Sequence, residues 1–129
     1  IYGNGEQVRA FSSVEYLMKP LEKVIGDFDN RIYNLGSDDF ISLNDIAKKF
    51  ILIANSFDLK PRIKYLDKRH EVSHAYCNHD RAKKELNFLD KTNIDVLIYR
   101  MIDWALHQPN RNRNKMKVEI DNGLYSFWK

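Results

Sequence analysis

The 129 residues hold one cysteine, three prolines and five glycines, so little in the chain staples or breaks it. A single cysteine excludes an internal disulfide and suits a reducing, cytoplasmic compartment. No apolar run approaches the roughly 20 residues of a membrane-spanning helix, and no secretory signal opens the sequence. Neither charge sign dominates: 21 basic against 18 acidic residues leave +3, too mild to argue for nucleic acid. Neither a membrane nor a nucleic-acid partner is expected. No internal repeat or low-complexity linker divides the chain, so one domain over residues 1–129 is expected. What is present, 43% hydrophobic and 30% charged residues, is the composition of a globular protein. The first residue is Ile1 rather than methionine, and a processed chain or a fragment of something longer is expected.

A Gly-Asn-Gly turn at Gly3 to Gly5 precedes a strand-like run around Val8 to Phe11. Ser12 and Glu15 stand at capping-box spacing. Val14, Leu17, Met18, Leu21, Val24 and Ile25 then follow helical spacing. Pro20 lies inside that pattern, where it kinks the helix or marks its second turn. "RIYNLG" predicts a short strand ended by Gly36. Ser42 caps a helix with Leu43, Ile46, Ala47, Phe50, Ile51 and Ala54 on its apolar face. "PRIKYL" alternates like a strand, and "HDRAKKEL" predicts a short helix. Thr92 caps a last helix bearing Ile94, Leu97, Ile98, Met101 and Ala105 on one face. After Pro109 come a basic loop, "NRNRNK", and a tail, "MKVEIDNGLYSFWK", which predicts a strand and a short turn or helix. Short strands alternating with helices give an α/β or α+β fold class.

The stretch "RHEVSHAYCNHD" contains His70-Glu71-Val72-Ser73-His74, which fits the zinc motif His-Glu-x-x-His. That motif works only when both histidines share one face of a helix. The residues before it, Lys64 to Arg69, end an alternating run and then place charges where such a helix needs apolar residues. The first plausible helix start is Asn78 or His79. Cys77 and His79 are too close for structural zinc spacing, and Cys77 reads as a half-buried small thiol beside a helix-capping segment. Gly3 and Gly5 give Gly-x-Gly, but Val8 breaks the dinucleotide fingerprint. Tyr125 and Lys129 have Tyr-x-x-x-Lys spacing, but the lysine is the final residue and the aromatic run Tyr125, Phe127 and Trp128 suits a core edge. Zinc proteolysis through His70, Glu71 and His74 stands as the third functional reading.

Other residues suit an anion site. Arg9 follows the glycine turn, Asn34 ends a predicted strand, and Arg69 begins an irregular loop. Two arginines and an amide can grip a diphosphate by charge-assisted hydrogen bonds. Glu71 can accept from ribose hydroxyls, and Tyr2 can pack on a base. Taken singly, each arginine is equally a solvated surface charge.

The order of these pieces resembles the extended short-chain dehydrogenase/reductases, the NAD-dependent nucleotide-sugar epimerases and dehydratases typified by UDP-glucose 4-epimerase. "IYGNGEQVRAF" is similar to their Pro-x-Tyr-Gly-Asp-Gly-x-Gln-x-Arg-Asp-Phe segment, and "SSVEYLMKPLEKVI" to the helix that follows. "RIYNLGSDDFISLNDIAKKF" resembles Tyr-Asn-Val-Gly-Ser followed by Ser-Ile-x-Glu-Leu-Ala. "RHEVSHAYCNHDRAKKELNF" resembles Arg-Pro-Gly-Glu-Val-x-His-Ala-Tyr-Ala-Asp-x-x-Lys-Ala, and "KTNIDVLIYRMIDWA" the closing helix. Ala10 departs from the pattern, as does the shorter Arg69-to-Glu71 spacing. The resemblance implies a small substrate-binding domain of α/β type, the C-terminal part of such an enzyme. It implies Arg9 and Arg69 on the diphosphate, Asn34 near phosphates and ribose, Glu71 on the ribose and Tyr2 at the base of a UDP- or dTDP-sugar. NAD and the catalytic Tyr-x-x-x-Lys would belong to an N-terminal Rossmann half absent from this chain, and the full enzyme would be a homodimer. This chain then carries no catalytic residue and binds no cofactor or metal itself. A non-catalytic binding domain on the same fold, with "NRNRNK" as a basic contact, is the alternative.

Overall fold

A computed structural model describes residues 1–25 and 30–109. The predicted tail elements, the "NRNRNK" loop and the Tyr125–Lys129 pair lie outside the described residues. The elements in chain order are β1 (Val8–Ala10), α1 (Val14–Ile25), β2 (Phe40–Ser42), α2 (Leu43–Asn55), β3 (His74–Ala75), α3 (Asp80–Leu86) and α4 (Ile94–Leu106). The strands form one small sheet of order β2-β1-β3, with β1 antiparallel to β2 and parallel to β3. The fold is thus α/β. Its register sets Arg9 beside Ile41 on one side and Ala75 on the other. No helix among the described residues is long and apolar enough to cross a membrane.

The helices pair off around two small cores. Ala54 of α2 packs with Ile98 and Ile102 of α4, backed by Ile46, Ile53, Phe57, Leu59 and Ile94. Ala82 and Leu86 of α3 pack with Phe88, backed by Leu17 and Val24 of α1 and by Tyr33 and Leu35. Ala54 and Ala82 are fully buried. A one-carbon side chain lets a neighbouring element close on the helix backbone without a cavity.

Ser42 caps α2 as expected: its Oγ accepts from Asp45 N at 3.0 Å and donates to the Asp45 carboxylate at 2.7 Å. Both other predicted caps shift by one residue. α1 starts at Val14, after Ser13, and Glu15 pairs with Arg100 at 2.8 Å instead of closing a box on Ser12. Asn93 caps α4 through Asp95 N and Val96 N, because Thr92 is engaged by Asp90 and by Ser13 N. The face of α4 also differs. Ile94, Ile98 and Ile102 turn inward while Met101 and Ala105 are exposed. The helix carries two apolar stripes, and spacing alone does not choose between them.

Two predicted strands are absent. "PRIKYL" contributes a single bridge, Leu66 to Tyr2. "RIYNLG" joins no strand ladder and is held by side chains from α3. Tyr33 Oη donates to Glu85 at 2.7 Å, Arg31 donates to Glu85 at 3.2 Å, and Arg81 donates to Ile32 O at 3.3 Å. The Tyr33 bond, then Arg31, hold the Glu85 carboxyl below its ordinary value, while Glu85 raises the Tyr33 phenol.

Two outcomes follow for stability. In urea unfolding, Ile98→Ala should cost about 2–5 kcal/mol, and Met101→Ala less than about 0.5 kcal/mol; the reverse order would contradict this orientation of α4. A lowered Glu85 contributes stability above the usual carboxylate range that is lost as pH falls through its folded value. A raised Tyr33 contributes stability below the usual phenol range that is lost as pH rises through its folded value. Glu85→Gln should therefore flatten the acid limb of a stability–pH profile, and an unchanged limb would rule this bond out as its source.

Candidate functional site

Tyr2, Gly3, Asn4, Glu6, Gln7, Lys68, Arg69, Glu71, Ser73 and His74 line a cleft of about 500 Å³, within the size range of small-molecule sites. One wall is the first three residues laid along residues 64–66, with Leu66 N donating to Ile1 O at 2.7 Å and Gly3 N to Leu66 O at 2.9 Å. The other wall is the loop entering β3, fixed where Val8 N donates to Ser73 O at 2.8 Å. The Arg69 guanidinium lies over the Tyr2 ring, 3.1 Å from its centroid, an attraction between the cation and the negative ring face.

Arg9 reaches across β1 to this loop. Its Nη2 donates to Glu71 at 2.9 Å and to Val72 O at 3.0 Å, and its Nη1 donates to Val8 O at 2.8 Å. Gln7 completes the frame, donating to Tyr2 O at 2.9 Å and to Glu71 Oε1 at 3.3 Å. Three sequence-predicted residues, Tyr2, Arg69 and Glu71, thus line one cleft, and Arg9 joins it through Glu71. Asn34 is elsewhere: it does not line the cleft, and its Nδ2 donates to Asn78 O at 3.2 Å. Gln7 and Lys68 are additions. Gln7 had a signal in the sequence, since it stands two residues before Arg9 and alternation along an extended strand puts both on one face.

The zinc geometry is not formed. His70 to Ser73 are irregular, His74 is in β3, and Glu71 is engaged by Arg9 and Gln7. Among the described residues no group of three or more His, Cys, Asp or Glu side chains is suited to hold a metal ion. The residues of the glycine turn do not fit a dinucleotide loop either. That loop needs a helix N-terminus behind it, whereas Gly3-Asn4-Gly5 leads into β1 and packs on α2. Asn44 N donates to Gly5 O at 3.0 Å, and Asn44 Nδ2 to Asn4 O at 2.9 Å.

No protein-family model and no curated protein matches this chain. Solved structures do. A UDP-glucose 4-epimerase from Thermotoga maritima, solved with UDP-glucose, shares 21% identity over 82% of this chain and 34% of its own, at a TM-score of 0.70. A UDP-glucose 4-epimerase from Bifidobacterium longum, in complex with NAD+ and UDP, shares 25% over 78% of this chain and 30% of its own, at 0.62. A dTDP-glucose 4,6-dehydratase from Bacillus anthracis, in complex with NAD, shares 19% over 82% of this chain and 33% of its own, at 0.66. The fold is that of part of these nucleotide-sugar epimerases and dehydratases, in agreement with the resemblance carried by the sequence motifs. The chain spans about a third of the length of the structures it matches.

The glycine turn allows a direct check of the cleft's support. Gly5 has φ +75°, and a Cβ there would lie 2.0 Å from Asn44 Oδ1. Gly5→Ala should cost at least about 1–2 kcal/mol from the left-handed backbone alone, read from the urea midpoint. A neutral result would show that the turn is not pinned to α2.

Proposed function

We propose that this chain is the nucleotide-sugar-binding portion of an NAD-dependent epimerase or dehydratase, gripping the nucleotide diphosphate and carrying no catalytic group of its own. The observation that supports this most is the gathering of Tyr2, Arg69 and Glu71 in one cleft, with Arg9 ion-paired to Glu71. In this reading Arg69, assisted by Arg9, takes the diphosphate, since planar guanidinium groups suit paired phosphate oxygens. Glu71, held by Gln7 and Arg9, accepts from ribose hydroxyls, and Tyr2 borders the base. Asn34 serves by holding the loop at Asn78 rather than by touching phosphate.

NAD and the groups that move the sugar's proton and hydride belong, in this reading, to a second half of the enzyme. The part of this chain is to supply binding energy remote from the reacting carbon, which can be used to orient the sugar. The apolar faces left bare suit packing against that half. Val14, Met18, Leu21 and Ile25 on α1 and Val96, Met101 and Trp104 on α4 are all exposed. Val14, Val96, Leu97, Met101 and Trp104 line a groove of about 560 Å³.

Isothermal titration with UDP, compared with uridine, tests the reading. UDP should bind more tightly than uridine, and Arg69→Ala should weaken UDP by about tenfold or more, the loss of one charge-assisted bond. Arg9→Ala should weaken it too. Equal binding of UDP and uridine, or UDP-induced NMR shifts that avoid Tyr2, Arg69 and Glu71, would reject the assignment.

A further inference from the structure

Away from the cleft, three side chains stand in series. Cys77, the chain's one cysteine, is exposed rather than half-buried. Its Sγ lies 3.2 Å from Nε2 of His79, and Nδ1 of the same ring lies 3.0 Å from Oδ1 of Asp38. The imidazole is 3% exposed and has little freedom to turn. Phe88 meets it edge-on, and even a Cβ on Gly36 would come within 3.0 Å of Nε2. Asp38 is shared: Lys83 donates to its other oxygen at 2.5 Å. The Lys83 bond and then the His79 bond hold this carboxyl below its ordinary value, so it is a carboxylate at neutral pH.

A carboxylate can only accept, so Nδ1–H donates to Asp38, and in the neutral ring this leaves the Nε2 lone pair facing the thiol. Nucleophile, base and orienting acid are thereby linked by hydrogen bonds, the arrangement that activates cysteine and serine nucleophiles. None of the three side chains lines the cleft at Tyr2 and Arg69.

We propose that Cys77, His79 and Asp38 form an activated-thiol site whose reagent is a low-molecular-weight disulfide. Sγ attacks one sulfur of the disulfide while Nε2 takes the thiol proton. The disulfide's S–S bond breaks, and the departing thiolate collects that proton from the imidazolium. Cys77 is left as a mixed disulfide and one small thiol is released, so the Cys77 sulfur is oxidised as the departing sulfur is reduced. With no second cysteine in the chain, the adduct persists until an external thiol reverses it. His79 is the base in this step. Asp38 is a positioning residue.

Because only Cys77 can react, the thiol signal of the whole chain reports on this site. Stopped-flow reaction with dithiodipyridine and with oxidised glutathione near neutral pH is the test. The folded chain should react about tenfold or more faster than the same chain in urea, a modest share of what a positioned base supplies. His79→Gln should remove the advantage. The exposed Asp38 tolerates substitution without loss of a core contact, so Asp38→Asn, with its fold checked by circular dichroism, should also slow the reaction about tenfold. Asp38→Glu, which keeps the carboxylate, should exceed Asp38→Asn. A folded rate no greater than the unfolded one, or Asp38→Asn matching either the wild type or Asp38→Glu, would overturn the proposal.

Discussion

Arg9 stands on the middle strand of a sheet whose strands are three, three and two residues long, and so short a ladder leaves its ends weakly tied. The Arg9 side chain supplies what the backbone lacks. It bonds to Val72 O and Glu71 across the β1–β3 edge and to its own strand at Val8 O. Hydrogen bonds of this charged kind are worth about 1.5–3 kcal/mol each before coupling. At 22% side-chain exposure Arg9 is less screened than a surface ion pair. The dependence then propagates. Glu71, held by Arg9, receives Gln7; Gln7 holds Tyr2 O; and Tyr2 carries the Arg69 guanidinium. One guanidinium thus keeps both walls of the cleft in register.

The same bonds set the electrostatics of the cleft. Arg9 and Glu71 neutralise each other, and among the described residues Lys68, Arg69 and Glu6 are the other Lys, Arg, Asp or Glu side chains lining the cleft. Under the proposed function, an arriving diphosphate competes with Glu71 for Arg9. Glu71 is then freed to accept from a hydroxyl group, so phosphate and ribose recognition become coupled through one carboxylate.

How far the sequence reveals all this depends on where each constraint is made. α2 is legible because Ser42 marks its start and Ile46 and Ala54 of the expected face reach the core, although Ile53 joins them there and Phe50 is exposed. α4 is legible as a helix but not in its orientation, because its outward stripe is as apolar as its inward one. The bare stripe suits a partner surface that no local pattern announces. "RIYNLG" misleads because it is held by Tyr33 bonding to Glu85, 52 residues away, and not by strand pairing. Of the residues singled out by the order of motifs, Tyr2, Arg69 and Glu71 meet at one cleft, with Arg9 tied to it through Glu71. Gln7 shows only as a neighbour of Arg9 on one strand face, and the Asn34–Asn78 bond not at all, since it runs to a backbone oxygen brought near only by folding.

The stretch from Arg69 to Asp80 shows how few residues separate two chemistries. Its first part, through Glu71, turns toward Tyr2 and Arg9 and belongs to the cleft. β3 then spends His74 and Ala75 on pairing with β1. Tyr76 packs against Phe40 of β2, the rings tilted and their centroids 4.8 Å apart, which anchors the chain as it leaves the sheet. Past that anchor, Asn78 Oδ1 accepts from Asp80 N at 2.8 Å and starts α3, and this turn sets Cys77 against His79. The histidines and cysteine that imitate a metal site in one dimension are therefore dispersed in three. His70 and His74 never meet on a helix face, while Cys77 and His79, too close in sequence for zinc, are close enough for a proton to pass between them.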